Sequence, residues 1–235
     1  MDTNGNLYTF IYATVLVIVV AAALSFTALT LQPIQEMNVK NEKMQNILSS
    51  VEVESTAKTA SDIFKKYITR SFIVNAKGEE VEGNAFEVNL VQQYKKDTAD
   101  RELPLYEATL ADDTKKLIIP LRGKGLWGPI WGYVALDSDM NTVFGAVFDH
   151  KGETPGLGAD INKEWFQKPF VGKTIYEGDE LVGIIVYKGG AAAADDLTHG
   201  VDAISGGTIT SKALEKMVFD CISSYKTYLE NNKNK

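Results

Sequence analysis

Two glycines and several hydroxyl residues lie together just ahead of a stretch with helical periodicity. The segment reads Asp202-Ala-Ile-Ser-Gly-Gly-Thr-Ile-Thr-Ser211. Such residues at the start of a helix form an anion site, because the free amides point at the ligand and the helix dipole favours negative charge. Lys212 is one helical turn beyond Thr208, and we expect it to face the same anion. The alternative, from spacing alone, is a glycine turn with a Ser or Thr helix cap.

A second glycine-rich segment, His150-Lys-Gly-Glu-Thr-Pro-Gly-Leu-Gly158, follows a predicted strand. Glycines lack the Cβ atom that blocks close approach of a ligand, so Gly156 and Gly158 are expected to expose their amides. Glu153 and Thr154 can hydrogen-bond the edge of a heterocycle. The alternative is a tight loop with a helix cap.

A third segment, Gly123-Lys-Gly-Leu-Trp-Gly128, has the G-x-G-x-x-G spacing. A dinucleotide-binding fingerprint must open a helix, whereas the residues that follow, 129–134, alternate as a strand does. The pattern therefore favours a turn between two strands over a nicotinamide site. Trp127 in this turn is suited to stacking on a flat ring, while Trp131 is expected in the core.

Composition excludes several kinds of site. The 235 residues carry 24 Lys and Arg against 31 Asp and Glu, a net charge of -7, which argues against a nucleic-acid binder. The single cysteine, Cys221, excludes an internal disulfide and an iron–sulfur cluster or Cys-rich zinc site held within the chain. His150 and His199 lack the spacing of metal ligands. Redox chemistry therefore requires an organic cofactor or a site shared with another chain.

The N-terminal region contains a long apolar run without charge. Residues 7–31 reach roughly 37 Å as a helix, enough to cross a bilayer core of about 30 Å. A cleaved signal peptide needs a basic start and a shorter apolar region, so an uncleaved single span is predicted. Lys40 and Lys43 follow the span, and the positive-inside rule alone would place the body in the cytoplasm.

The rest of the chain predicts one α+β domain, in which a sheet packs against helices. The last 25 or so residues have the clearest helical pattern, and shorter helices are expected at 34–50, 59–69 and 161–167. Three parts follow: a membrane anchor (1–33), a helical linker (34–70) and a globular domain (71–235). The predicted strands are Ser71–Ala76, Ala85–Leu90, Lys116–Arg122, Ile130–Leu136, Thr142–Asp149 and Leu181–Tyr187.

These segments, with the anchor, resemble the family of small flavin-carrying subunits of the sodium-translocating NADH:quinone reductase. H-K-G-E-T-P-G-L-G, D-A-I-S-G-G-T-I-T-S, G-K-G-L-W-G and G-Y-V-A-L-D carry the resemblance. In that family FMN is attached through its phosphate to the last threonine of an S-G-A-T motif, which implies Thr208 here. Gly207 stands where the family usually has Ala, and Asp202 fills the acidic position ahead of the motif.

The resemblance implies an FMN-binding domain that relays electrons from NADH towards quinone, coupled to sodium export. It implies partner subunits in the bacterial cytoplasmic (inner) membrane, an extracytoplasmic flavin domain, and a separate flavin transferase using FAD and Mg²⁺. No complete active site is expected in this chain alone. The related alternative is the equivalent flavin-carrying subunit of the ion-translocating ferredoxin-linked electron transport complex. The unrelated alternative is an anchored extracytoplasmic interaction domain without cofactor. The expected FMN contacts are Thr208, Ser205, Gly206, Gly207, Thr210, Lys212, Glu153, Thr154, Gly156, Leu157, Gly158 and Trp127.

Overall fold

A long N-terminal helix, α1 (Asn6–Ser49), opens the chain in the computed structural model, which describes residues 5–233. Asp2 and the last two residues of the predicted domain lie outside the described part. The helix is long and apolar enough to cross a membrane, and no residue of its most apolar stretch is buried. It continues through Pro33, where the sequence predicted an exit. A proline removes one intrahelical hydrogen bond, and the periodic residues after it allow the helix to resume.

The compact globular unit begins at Met44, well before the predicted boundary at residue 71, and is distinct from the N-terminal unit Met1–Lys43. Ile47, Leu48 and Val51 are buried within it, which explains the earlier start. Its helices and strands are α2 (Ala60–Tyr67), β1 (Ile68–Asn75), β2 (Glu80–Val81), α3 (Leu90–Gln93), β3 (Glu102–Thr109), β4 (Lys115–Lys124), β5 (Pro129–Leu136), β6 (Val143–His150), α4 (Glu164–Gln167), β7 (Tyr176–Glu177), β8 (Glu180–Leu181), β9 (Ile185–Tyr187), β10 (Gly200–Asp202), α5 (Thr208–Ser224) and α6 (Lys226–Asn232).

The centre of the unit is an antiparallel sheet in the order β2-β1-β3-β4-β5-β6. Alternate residues of β4 enter different cores: Leu117 and Ile119 join the core that contains α5, and Ile118 joins the other. Helix α5 lies against β4, where a Cβ at Gly123 would be 2.7 Å from the Met217 Cβ. The predicted α+β class, with a sheet packed against helices, is confirmed.

Two strand predictions were wrong, and strand β3 and the short strands β2, β7 and β10 were missed. Residues 85–90 form a 3-10 turn leading to α3, because the Asn84 and Asn89 side chains accept amide hydrogen bonds and cap both turns. The predicted strand 181–187 is divided between β8 and β9 by Gly183, whose φ is +72°. Strand β3 was missed because Pro104 weakens its strand pattern.

The predicted helix at 161–167 also differs from the structure. A 3-10 turn covers Gly158–Asn162, and α4 begins only at Glu164. The C-terminal helix is present, but it ends at Ser224 and α6 continues from Lys226. The two glycine-rich segments and the β4–β5 turn are thereby placed around the start of α5.

Candidate functional site

The turn before α5 is held by a residue inside the helix. Gly206 adopts a φ of +74°, a conformation that favours glycine. The Ser211 hydroxyl donates to the Gly207 carbonyl at 2.9 Å and accepts from the Ile204 amide at 3.1 Å, so it fixes both ends of the turn. Ser211 is buried, and sequence reasoning missed this role. Its position one turn inside the helix was the available signal, since Ser and Thr bond backbone groups three or four residues away.

Thr208 is the first residue of α5 and is half-buried. Within the part of the chain that the structure describes, its hydroxyl forms no hydrogen bond. The first amides of a helix also lack intrahelical acceptors and carry part of the positive helix dipole. A phosphate at this hydroxyl would therefore meet unused donors and a favourable field.

Glu153 lies inside the protein and joins the three glycine-rich segments. Its carboxylate accepts a hydrogen bond from the Thr210 hydroxyl at 2.5 Å and from the Trp127 amide at 2.9 Å. Burial acts to raise the pKa of Glu153, but the hydrogen bonds from Thr210 and from the amides of residues 126–128 outweigh it and lower the pKa. Both oxygens are thus occupied within the chain, instead of facing the edge of a heterocycle as predicted.

Two glycines give this carboxylate its space. A Cβ at Gly125 would be 2.6 Å from one Glu153 oxygen, and a Cβ at Gly158 would be 2.7 Å from the other. Gly158 itself is buried against Glu153 and Thr210, and a contact between its amide and FMN stays a prediction. The Gly156 amide donates to the Asp160 carboxylate at 3.1 Å.

Exposed apolar side chains lie on the segments that meet at this buried centre. Trp127 is 70% exposed in the β4–β5 turn, and its neighbour Leu126 is 45% exposed. Leu157 is also exposed, and a Cβ at Gly206 would be 2.7 Å from the Leu157 Cδ2, so the leucine lies directly against the turn before α5. Ile209 is exposed in the first turn of α5. Leu126 and Ile209 were not among the predicted contacts, because their side chains gave no polar signal.

Thr154 and Trp131 lie at the margins of this region. Thr154 is exposed, and its carbonyl accepts hydrogen bonds from the amides of Leu157 and Ala159. Trp131, expected in the core, is only half-buried, with the Arg122 guanidinium 5.5 Å from the centre of its ring. The Gly123–Gly128 segment joins two strands as predicted, closed by a hydrogen bond from the Gly125 amide to the Gly128 carbonyl.

A groove opens beside Thr208, between the turn before α5 and residues 188–190. Lys188 lines this groove, and its ammonium has no ion-pair partner among residues 5–233. Lys212, the predicted phosphate partner, instead pairs with Glu215 at 2.8 Å, further along the helix. Asp202 also lines the groove, and its carboxylate accepts a hydrogen bond from the Ala191 amide at 2.8 Å, next to residues 188–190. Sequence reasoning missed Lys188 because it lies twenty residues before Thr208.

The two histidines are separate and engaged locally. The His150 Nδ1 accepts from the Glu153 amide at 3.2 Å, while the His199 Nδ1 lies 2.7 Å from the Thr174 carbonyl. Over the residues that the structure describes, there is no group of three or more His, Cys, Asp or Glu side chains arranged for a metal ion.

The site therefore combines groups suited to an anion beside Thr208 with exposed apolar side chains at Trp127 and Leu157. Residues 125–223 match the model of the FMN-binding domain family. The matched region contains most of the β4–β5 turn, the His150–Gly158 segment, the turn before α5 and nearly all of that helix. Fold and site thus define a domain of the FMN-binding class. The chain is 30% identical over 214 residues to the Na⁺-translocating NADH-quinone reductase subunit NqrC from Vibrio alginolyticus, covering 84% of this chain and 83% of that protein. The chain belongs to the NqrC family.

Other relatives agree. NqrC from Vibrio vulnificus (strain YJ016) is 31% identical over 84% of this chain and 83% of its own length. The crystal structure of the same reductase subunit from Parabacteroides distasonis is 42% identical, covers 85% of this chain and 96% of that chain, and superposes with a TM-score of 0.78. Shewanella oneidensis NqrC is 24% identical, with a TM-score of 0.65 over 82% of this chain and 98% of that one, and shares the fold.

Proposed function

We propose that this chain carries FMN covalently, through a phosphoester to Thr208, as the electron-relay subunit of a sodium-translocating NADH:quinone reductase. The observation that carries the proposal is the Thr208 hydroxyl at the start of α5, which forms no hydrogen bond in the part of the chain that the structure describes and directly follows the turn that packs against the exposed Leu157. FMN, when bound, supplies one- and two-electron redox chemistry. The chain's own residues hold its phosphate and cover one part of its ring.

Attachment requires a donor of the FMN phosphoryl group, for which FAD with Mg²⁺ and a flavin transferase is suited. The Thr208 hydroxyl oxygen forms a bond to the FMN phosphorus of FAD while the pyrophosphate P–O bond breaks. AMP leaves, and the hydroxyl proton is released with it. The chain then gains the mass of FMN less one water. The α5 amides and Lys188 are placed to hold the resulting anion.

The remaining parts of the proposal concern the membrane. Helix α1 anchors the chain in the bacterial cytoplasmic membrane, and the globular unit lies on the extracytoplasmic side, where it exchanges electrons with the other subunits. The exposed position of Trp127 supports this role, because a ring stacked there stays accessible to a partner. Sodium export belongs to the assembled complex; the apolar stretch of α1 contains no charged residue to serve an ion.

Flavin fluorescence of the denatured chain tests the attachment. The full chain is expressed with a flavin transferase and run on a denaturing gel under ultraviolet light. We expect a fluorescent band for the wild type and for Ser205→Ala, and a dark band for Thr208→Ala. Fragmentation of the 202–212 peptide should place the added mass on Thr208. A fluorescent Thr208→Ala band, or the mass on Ser205 or Thr210, would refute the proposal.

A further inference from the structure

A second polar groove lies along the C-terminal half of α5, away from the flavin site. Arg101, Arg122 and Tyr94 line it, together with Phe219 on its rim. Helix α5 separates Thr208 from residues 219–224 by roughly 17–24 Å at 1.5 Å per residue. This groove is therefore not part of the site around Thr208.

Neither arginine has a carboxylate partner within residues 5–233. The Arg122 side chain is half-buried and lies over the Trp131 ring. The Arg101 side chain donates to the Ser224 hydroxyl at 3.4 Å and lies 5.3 Å from the centre of the Tyr94 ring. The acidic residue that lines the groove, Asp220, is already paired with Lys216 at 2.8 Å.

Unpaired arginines in this environment are unfavourable unless something else neutralises them. Burial lowers the pKa of Arg122, which reflects the cost of removing its charge from water. Burial also raises the pKa of Tyr94, so the hydroxyl beside them stays neutral and compensates no positive charge. A chain with a net charge of -7 nevertheless keeps two positive groups together here. A carboxylate from outside the chain would satisfy them in bidentate geometry.

We propose that this groove docks an acidic segment of a partner protein, whose Asp or Glu side chains pair with Arg101 and Arg122. A surface cleft with an exposed aromatic residue on its rim suits a protein side chain, whereas small ligands are enclosed in deeper cavities. Arginine and aromatic residues are also enriched where protein interfaces bind most strongly. The general negative charge of the chain would orient such a partner towards this patch. The partner's membership of the reductase rests on the proposed function.

Zero-length cross-linking tests the proposal in membranes that contain the complete complex. Arg101→Lys and Arg122→Lys each place a primary amine in the groove, and a carbodiimide joins that amine to a carboxylate it contacts. We expect peptides joining either position to an Asp or Glu of another protein. The matched control is Arg70→Lys, since Arg70 contacts Glu80 of its own chain and should give an internal cross-link.

Links from the groove only to this chain's own carboxylates, or no links while the control reacts, would overturn the proposal. A second outcome would overturn the proposal in favour of a small anion. In that outcome the purified chain binds phosphate or citrate, the Arg101→Gln, Arg122→Gln double variant does not, and no cross-link to another protein forms. In membranes that contain the complex, the double variant should increase the fraction of this chain that is dissociated from its partners by about tenfold. It should leave gel fluorescence of the flavin unchanged, whereas failure of the proposed function would darken the wild-type band.

Discussion

The hydroxyl of Thr210 lies 2.5 Å from the carboxylate of Glu153, and both residues are buried. Because the other carboxylate oxygen accepts from the Trp127 amide, one side chain ties the start of α5 to the turn that carries the exposed indole. The turn that carries Trp127 and the helix that carries Thr208 are therefore held together by a side chain buried inside the protein. Positioning of this kind depends on packing as well as on hydrogen bonds.

Gly158→Ala should destabilise the domain by about 1–3 kcal/mol, because its Cβ would be 2.7 Å from a Glu153 oxygen in a region that cannot expand. Gly152→Ala is the matched control: nothing lies within 4 Å of its added Cβ, and we expect a change within about 0.5 kcal/mol. Urea unfolding followed by circular dichroism measures both. Equal stabilities of the two variants would show that the carboxylate is not tightly enclosed.

The ionised Glu153 should make stability depend on pH. Its pKa is lowered in the folded chain, so its contribution is complete above the unfolded value near 4.3 and is lost as the pH falls through the folded value. In Glu153→Gln, the side-chain NH₂ group must face either the Thr210 hydroxyl or the Trp127 amide, although both of these groups donate to the native carboxylate. We therefore expect the free energy of unfolding to fall by about 1–3 kcal/mol at neutral pH.

Unfolding free energies from pH 7 to pH 3 measure this dependence. The wild type should lose more stability than Glu153→Gln over that range, so their curves should converge at low pH. Glu82→Gln, an exposed residue, serves as the control for removing one acidic group. Parallel curves for the wild type and Glu153→Gln would contradict the assignment.

Lys188→Gln should slow flavin attachment, because the groove beside Thr208 loses a positive charge that no acidic group among residues 5–233 pairs with. The expected change is about 1 kcal/mol, or roughly fivefold in the initial rate. Lys212→Gln should alter the rate by no more than about twofold, since that ammonium is engaged with Glu215 at the surface. Band fluorescence at early times measures both rates. If Lys212→Gln slowed attachment more than Lys188→Gln did, Lys212 would be the phosphate partner, as its spacing from Thr208 predicted.

Trp127→Ala should leave the amount of attached flavin unchanged and increase the flavin fluorescence of the native protein. An indole stacked on the ring quenches its emission, and Trp127 is exposed in a turn whose amide is bonded to Glu153 of the site. Trp165→Ala removes another exposed indole, which contacts Phe166 in the region of α4, and should leave the native fluorescence unchanged. If Trp127→Ala and Trp165→Ala had the same native flavin fluorescence, the flavin ring would not be stacked on Trp127.

Local pattern was sufficient for several parts of this protein. The apolar run, the strands β4 to β6 and the helix that begins at Thr208 follow from residues close together in the chain, since periodicity and turn residues act over one or two turns. The H-K-G-E-T-P-G-L-G and D-A-I-S-G-G-T-I-T-S segments, taken together with the anchor, likewise predicted the family. Local pattern failed at residues 85–90, where two asparagine caps outweighed the strand propensity of the apolar residues.

Only the tertiary structure decided which polar groups meet. Glu153 contacts groups 26 and 57 residues away, and no local rule places its carboxylate inside the protein between two glycines. The same holds for Lys188, which reaches the groove of Thr208 while Lys212 turns to Glu215. Sequence spacing specifies neighbours along one helix or strand, but contacts between segments depend on how the sheet and α5 pack.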